Sequence, residues 1–301
     1  MTKTALILGA SGKIGYHSKE AFERAGWDVR VYDRQRDDMV EAARGVDVIV
    51  NGLNPPNYHD WARTIPAITA QVIAAAKESG ATVIVPGNVY NMDDQGGEWS
   101  EHTPHRPTTR KGQVREAMEQ AYRASGVQTI VLRAGNFIDP ERNGDVMSLV
   151  ILRAIRRGKV TVCGGADVPQ PYCYVPDWAR AAVALADMKD ELAGFEDIPF
   201  PGHVFTIEQL RMFLSARLGK SIELTRFPWW AMTLASPFWE LARELREMRY
   251  LWDLPHTLSA AKFMRLLPNF QPTSLAEVML AGLPEPLSVG ERQVRTCETA
   301  T

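Results

Sequence analysis

The chain of 301 residues has little cysteine, no excess of either charge and no apolar run of membrane-spanning length. Its three cysteines, Cys163, Cys173 and Cys297, are an odd number without paired metal-ligand spacing. They argue against a disulfide framework or a metal site, and for reduced thiols in a cytoplasmic protein. Lys and Arg number 34 against 36 for Asp and Glu, a formal charge of −2, so bulk charge attracts neither nucleic acid nor an anionic membrane. No stretch approaches the ~18 apolar residues of a membrane span, and an N-terminus that enters a strand almost at once does not read as a signal peptide. What the chain does have is a hydrophobic content of 45%, enough for a full α/β core and a second, smaller lobe.

Leu6-Ile7-Leu8-Gly9-Ala10-Ser11-Gly12-Lys13-Ile14-Gly15 is the stretch around which the rest is organised. The apolar run Thr4 to Leu8 predicts a strand buried on both faces, as in a parallel sheet. The glycines Gly9, Gly12 and Gly15 turn it into a helix beginning near Lys13. Such a turn lets backbone N–H groups approach a pyrophosphate, with the positive end of the helix dipole behind them. A plain glycine turn joining strand to helix has the same pattern. The helix stops at Gly26, and Trp27 to Tyr32 alternates as a second strand. Asp33 closes that strand where an acidic side chain can accept the hydroxyls of an adenosine ribose, which favours NAD. Arg34, next to it, suits the 2′-phosphate of NADP.

Val46 to Val50 is the third strand, opening into Asn51-Gly52-Leu53-Asn54-Pro55-Pro56, whose amides could lie beside the adenosine. Between Asp33 and Val46 only a short helix fits, roughly residues 37–44, so the sheet edge is one strand short. A long helix from Ile65 to Ser79 leads to the strand Ala81 to Val85 and the loop Pro86-Gly87-Asn88-Val89-Tyr90. Residues 93–107 read as a surface loop. Thr108 or Thr109 caps a helix over 110–125, followed by the strand 128–132 and Arg133-Ala134-Gly135-Asn136-Phe137. Beyond Pro140 come a helix over 146–157, strands near 160–163 and 172–175, and a helix over 177–187 with an acidic cap. A last strand at 204–207 returns to the main sheet. Helix 207–218, strand 221–226, a long aromatic helical region 229–252 and helix 274–282 complete the lobe. Trp229, Trp230, Trp239 and Trp252 in the aromatic region suit a lobe core, a lid or a dimer contact.

With these parts in place the chain resembles the extended short-chain dehydrogenase/reductase superfamily, the NAD-dependent epimerase/dehydratase group, over roughly Thr4 to Leu283. Four landmarks carry the resemblance: Gly9 to Gly15, Asn88-Val89-Tyr90, Arg133 to Phe137, and Tyr174-Val175-Pro176-Asp177-Trp178-Ala179-Arg180, with Pro272-Thr273-Ser274-Leu275 near the end. It implies an α/β fold, a Rossmann-type doubly wound parallel sheet with a smaller C-terminal α+β substrate lobe. Residues 1–140 form the NAD(P)-binding domain, joined by 172–190 and about 203–207. Residues 141–171 and 208–285 form the lobe, and 286–301 a polar tail. The cofactor, NAD or NADP, is then held by Gly9, Ser11, Gly12, Lys13, Ile14, Gly15, Asp33, Arg34, Asn51, Gly52, Leu53, Lys111 and Asn136, with no metal. A homodimer through the helices 65–79 and 110–125 is implied in the same way.

Two departures affect the chemistry the group shares. Lys111 matches the lysine of its Tyr-x-x-x-Lys pair, in which the lysine lowers the tyrosine pKa for proton exchange with substrate. Four residues earlier stands Pro107, and the helper hydroxyl position is Pro86. The available acids are Tyr90, Tyr174, His102, His105, Thr108 and Thr109, and Lys111, Tyr90 and Asn88 are the catalytic candidates. One function implied is an oxidoreductase or epimerase-like enzyme for a small hydroxyl or carbonyl substrate, sugar-derived ones included. The alternative is a catalytically inactive NAD(P)-binding redox sensor.

Overall fold

A computed structural model describes residues 2–141 and 144–284. Strands Thr4–Leu8, Asp28–Tyr32, Val48–Asn51, Thr82–Gly87, Thr129–Arg133 and Phe195–Pro199 form one parallel sheet, in the spatial order second, first, third, fourth, fifth, sixth. The first and third to fifth strands are almost wholly buried. Helices cover both faces: Lys13–Arg24 and Val175–Asp187 pack on one, Trp61–Ser79 and Arg110–Ser125 on the other. Side chains buried from two sides explain why these strands are apolar without alternation. The fold is the expected doubly wound, Rossmann-type α/β sheet. Between Gln35 and Gly45 the chain makes only the short helix Met39–Ala42, so Asp28–Tyr32 is an edge strand and is partly exposed.

The sixth strand corrects one expectation. Phe195–Pro199, not residues 204–207, completes the main sheet. His203–Phe205 instead pairs antiparallel with Gln170–Tyr174, which also pairs with Asn136–Ile138 in a three-stranded lobe sheet. Glu196 and Asp197 break the apolar pattern of the true strand and hide it from a hydrophobicity reading. Both carboxylates are consumed by cations, Glu196 by Lys262 at 2.6 Å and Asp197 by Arg133 at 2.7 Å.

Other differences lie in the lobe and its approaches. Residues 93–107 are more than a surface loop, because Gly97–Trp99 pairs in parallel with His256–Leu258 and Trp99 stacks on His256 with ring centroids 4.5 Å apart. The stretch 146–157 is not one helix but a π turn, Met147–Ile151, and a 3-10 turn, Ile155–Arg157. The aromatic region divides into Trp229–Ala235, Glu240–Glu247 and the 3-10 turn Arg249–Trp252. Trp230, Phe238 and Trp239 are exposed there, and the lobe core is built elsewhere, from side chains such as Ile151, Val160, Phe205, Leu210 and Val278. Asp177 lies inside the first turn of its helix rather than capping it. Among the described residues no helix is long and apolar enough to cross a membrane. Cys297 and the polar tail 286–301 fall outside the described residues.

Candidate functional site

The chain leaves the first strand, passes to the second on one side and returns to the third on the other, so a crevice opens between the C-terminal ends of the first and third strands. Gly9, Gly15 and Gly52 lock the elements that meet there. Gly9 has φ +74°, and a Cβ on it would lie 2.9 Å from the Gly52 carbonyl oxygen. A Cβ on Gly15 would lie 2.2 Å from the Gly9 oxygen. Gly12 differs, since a Cβ there would meet nothing closer than 3.4 Å. It is the N-cap of helix Lys13–Arg24, without a side-chain cap and with no acid in the first turn. The helix therefore begins with unmet N–H donors beside the exposed Ser11 and half-exposed Lys13, while Ile14 anchors it in the core. That is the geometry of an anion cradle.

Around the cradle the structure locates the other expected groups. Asp33 ends the edge strand; its carboxylate accepts from Gln35 N at 2.9 Å and pairs with Arg36 at 2.8 Å, which together hold its pKa below the usual range. Arg34 beside it is exposed. Asn51 is committed to bracing: its amide donates to the Tyr122 hydroxyl at 3.1 Å and its Oδ1 accepts from Leu53 N at 3.2 Å, which shapes the turn through Gly52.

Helix Arg110–Ser125 starts at Thr109, whose Oγ1 accepts from Gly112 N at 3.1 Å. It packs on the loop after the fourth strand so tightly that a Cβ on Gly112 would stand 2.1 Å from the Tyr90 carbonyl oxygen. Lys111 and Tyr90 thus become neighbours, each with other partners. The Lys111 ammonium, 2% exposed, is held by the carboxylates of Glu244 and Glu247, the latter at 2.7 Å, and by the Glu244 carbonyl at 3.0 Å. Glu240, Glu244 and Glu247 lie on one stripe of the lobe helix, and Glu240 reaches His59 at 2.8 Å. The Tyr90 hydroxyl is 3.1 Å from that of Tyr58. Burial, then Tyr58, pushes the Tyr90 phenol well above its usual range, and Arg115 draws it part of the way back. Asn88 shapes the loop, its Oδ1 accepting from Tyr90 N at 3.0 Å and its carbonyl from Arg133.

Beneath this loop Arg133 is fully buried and bonded by Glu119 and Asp197, each at 2.7 Å. His105 joins them, 2.5 Å from Glu116 and 3.6 Å from Asp197. Burial opposes its charged form, but Asp197, Glu119 and Glu116 outweigh burial and Arg133 and raise its pKa. Burial likewise opposes the charge on Asp197, yet Arg133 and His105 lower its pKa to about 2. Ligand atoms of His105, Glu119 and Asp197 lie within 4.8 Å of one another, but Arg133 already supplies the cation they share. A raised folded pKa gives stability that is complete below the unfolded value of 6.5 and is lost as pH rises through the folded value. His105→Gln is expected to remove that part of the alkaline decline in Tm, measured as the difference between the two Tm–pH curves. The Asp197 contribution is complete above 3.8 and is lost as pH falls toward about 2.

The remaining candidates are dispersed. His102 is on the surface beside Glu101. Tyr174 is half-buried, its phenol pushed up to about 12 by burial and Asp177. Asp177 ties its helix to the segment before helix Leu275–Ala281: its carboxylate accepts from the Thr273 backbone N and hydroxyl, both at 2.7 Å. Asn136 is half-buried in the lobe sheet. Tyr58, Trp61, Arg115, Glu244 and Glu247 were not singled out from the sequence. Only Arg115 had a usable signal there, one helical turn after Lys111 on the same helix face.

The model of the NAD dependent epimerase/dehydratase family matches residues 61–198, a stretch that holds Tyr90, Lys111, Asn136 and Asp177 and begins after the glycine turn. No protein of curated function matches the chain in sequence. A UDP-glucuronic acid 4-epimerase from Bacillus cereus, solved with UDP-glucuronic acid and NAD, is similar with a TM-score of 0.72 and 16% identity, covering 93% of this chain and 97% of that one. A GalE-like L-threonine dehydrogenase from Cupriavidus necator gives 0.71 and 19%, covering 96% and 99%. TunA, an NAD dependent NDP-hexosamine 5,6-dehydratase of tunicamycin biosynthesis, gives 0.70 and 16%, covering 93% and 96%. In fold, and in sequence over residues 61–198, the chain is thus similar to the NAD-dependent epimerase/dehydratase family.

Proposed function

We propose that the chain binds NAD, with NADP as the other candidate, and acts on a small hydroxyl or carbonyl substrate, sugar-derived ones included. The uncapped, glycine-locked start of helix Lys13–Arg24 at the reversal of strand order carries this reading. Gly9, Ser11, Gly12, Lys13, Ile14 and Gly15 hold the diphosphate. Asp33 and Arg34 meet the adenosine side, Asn51, Gly52 and Leu53 flank it, and Lys111 and Asn136 serve the nicotinamide side. When bound, the nicotinamide supplies the hydride chemistry. The chain's own part is to orient the substrate and move a proton, for which the Tyr58–Tyr90 hydroxyl pair is the candidate. The similarity to proteins solved with NAD and with UDP-glucuronic acid supports the cofactor and the sugar class. A homodimer across Trp61–Ser79 and Arg110–Ser125, and a cytoplasmic location, belong to the same reading; sedimentation checks the first.

The carboxylates on Lys111 favour a second reading, a dinucleotide-binding sensor whose lysine is structural. One set of measurements separates the two. Tm shifts with NAD(H) and NADP(H) test the nucleotide, and hydride transfer is then screened with sugar nucleotides, uronic acids and small aldehydes. Lys111→Ala leaves two carboxylates without their buried cation and is expected to destabilise by about 3 kcal/mol. In the enzyme it also reduces turnover in a way that Lys111→Arg, which restores the fold, does not repair. A turnover equal to wild type in Lys111→Arg and Tyr90→Phe removes both residues from the chemistry.

A further inference from the structure

Arg115 differs from the other deeply buried cations among the described residues, Lys111 and Arg133. Its guanidinium donates to Asn54 Oδ1 at 3.2 Å, lies 3.5 Å from Met118 Sδ and stacks over Trp61 with Cζ 4.7 Å from the ring centroid. Its Nε has no acceptor among the described residues, and no carboxylate pairs with it there. The acid one turn along the helix, Glu119, gives both its oxygens to Arg133. Adjacent donors are also in surplus. The buried Trp61 Nε1 has no acceptor among the described residues. The Tyr58 and Tyr90 hydroxyls share one bond, which leaves one phenolic hydrogen over. Tyr58 is held against this group by a strained loop, with φ of +53° at Asn57, +60° at Tyr58 and +48° at Asp60.

A buried cation whose one nearby carboxylate, Glu119, is bonded to Arg133, together with several unmet donors, is unfavourable unless a ligand completes the group. We propose that Arg115, Trp61 and the Tyr58–Tyr90 pair bind the carboxylate of a small-molecule substrate, which enters past the exposed Asn54 and half-exposed Tyr58. A guanidinium with no carboxylate bonded to it among the described residues suits a monoanion. The planar guanidinium suits the fork of a carboxylate, whereas the second cation a phosphate dianion would draw on, Lys111, is already met by two glutamates. The proposal deepens the function above and rests on it only in making this carboxylate part of the substrate.

The test uses the full chain and the indole N–H signals of its eight tryptophans in 15N NMR, with Trp61 assigned by Trp61→Phe. Acetate and glucuronate are titrated against acetamide and glucose, with and without saturating NAD. The expected result is that the Trp61 signal responds to both carboxylates at least tenfold more tightly than to the neutral probes, and that NAD leaves this preference intact. Arg115→Met abolishes the preference while its Tm holds or rises, because a buried charge has been removed; Arg115→Lys keeps part of it. Absence of a preference in the wild type overturns the proposal. So does loss of the carboxylate response on adding NAD or inorganic pyrophosphate, which assigns the cation to the dinucleotide. A sharply lower Tm in Arg115→Met with the preference retained makes Arg115 structural and also overturns it. If NAD fails to bind while the carboxylate preference stands, only the nucleotide reading falls.

Discussion

Gly12→Asp is expected to weaken NAD(H) binding by at least about a hundredfold while leaving Tm unchanged or slightly higher. The two effects separate because Gly12 has room for a side chain, its nearest contact to a built Cβ being 3.4 Å, and because its φ of −88° is open to any residue. Aspartate is a favoured N-cap, so it satisfies the N–H groups that the glycine leaves open and gains a few tenths of a kcal/mol over glycine. The same carboxylate occupies the place of the diphosphate and repels it. Gly15→Ala is the contrasting variant. Its methyl would lie 2.2 Å from a backbone oxygen, so it should lower Tm and nucleotide binding together. Calorimetric titration with NADH and thermal melts of both variants check this. Equal losses of Tm in Gly12→Asp and Gly15→Ala would mean that Gly12 packs rather than binds.

Arg133→Met should be the most destabilising single change in the sheet, by about 3–5 kcal/mol. The guanidinium is fully buried and bonded to Glu119 and Asp197, and also to Asn91 Oδ1 at 2.9 Å. Its loss leaves two buried carboxylates facing each other with only His105 between them. The Arg133→Met, Glu119→Gln, Asp197→Asn triple variant should recover most of the loss, since it removes the stranded charges along with their partner. Thermal unfolding of the single and triple variants measures the difference. A triple variant no more stable than the single one would show that the arginine contributes through packing and its bonds to Asn88 and Asn91.

The sheet and its helices were legible because their signals are local. Ala5 to Leu8 and Val83 to Val85 are apolar throughout, and Gly26, Gly80 and Gly126 stop three of the four long helices on the sheet where left-handed backbone is needed or the chain must turn. The missing edge strand was legible too, since the residues between Asp33 and Val46 are too few for a strand and its crossover. Phe195–Pro199 was not legible, because its two acids serve cations that lie far away in sequence. The division of residues 229–252 has a local mark, Ser236-Pro237 between Trp229–Ala235 and Glu240–Glu247, but composition does not reveal which rings face solvent.

By itself the sequence determined a doubly wound α/β sheet, a glycine turn suited to an anion, and the absence of a tyrosine four residues before Lys111. These follow from periodicity, chain length and side-chain identity, which need no partner to be read. Only the tertiary structure decided where the charges go. It gave Lys111 to Glu244 and Glu247, gave Glu119 to Arg133, and left Arg115 beside Trp61 with no carboxylate bonded to it among the described residues. The reason is that an ion pair forms between whichever groups the fold brings within a few ångströms. Lys111 and its glutamates are more than a hundred residues apart, and no local pattern links groups at that separation.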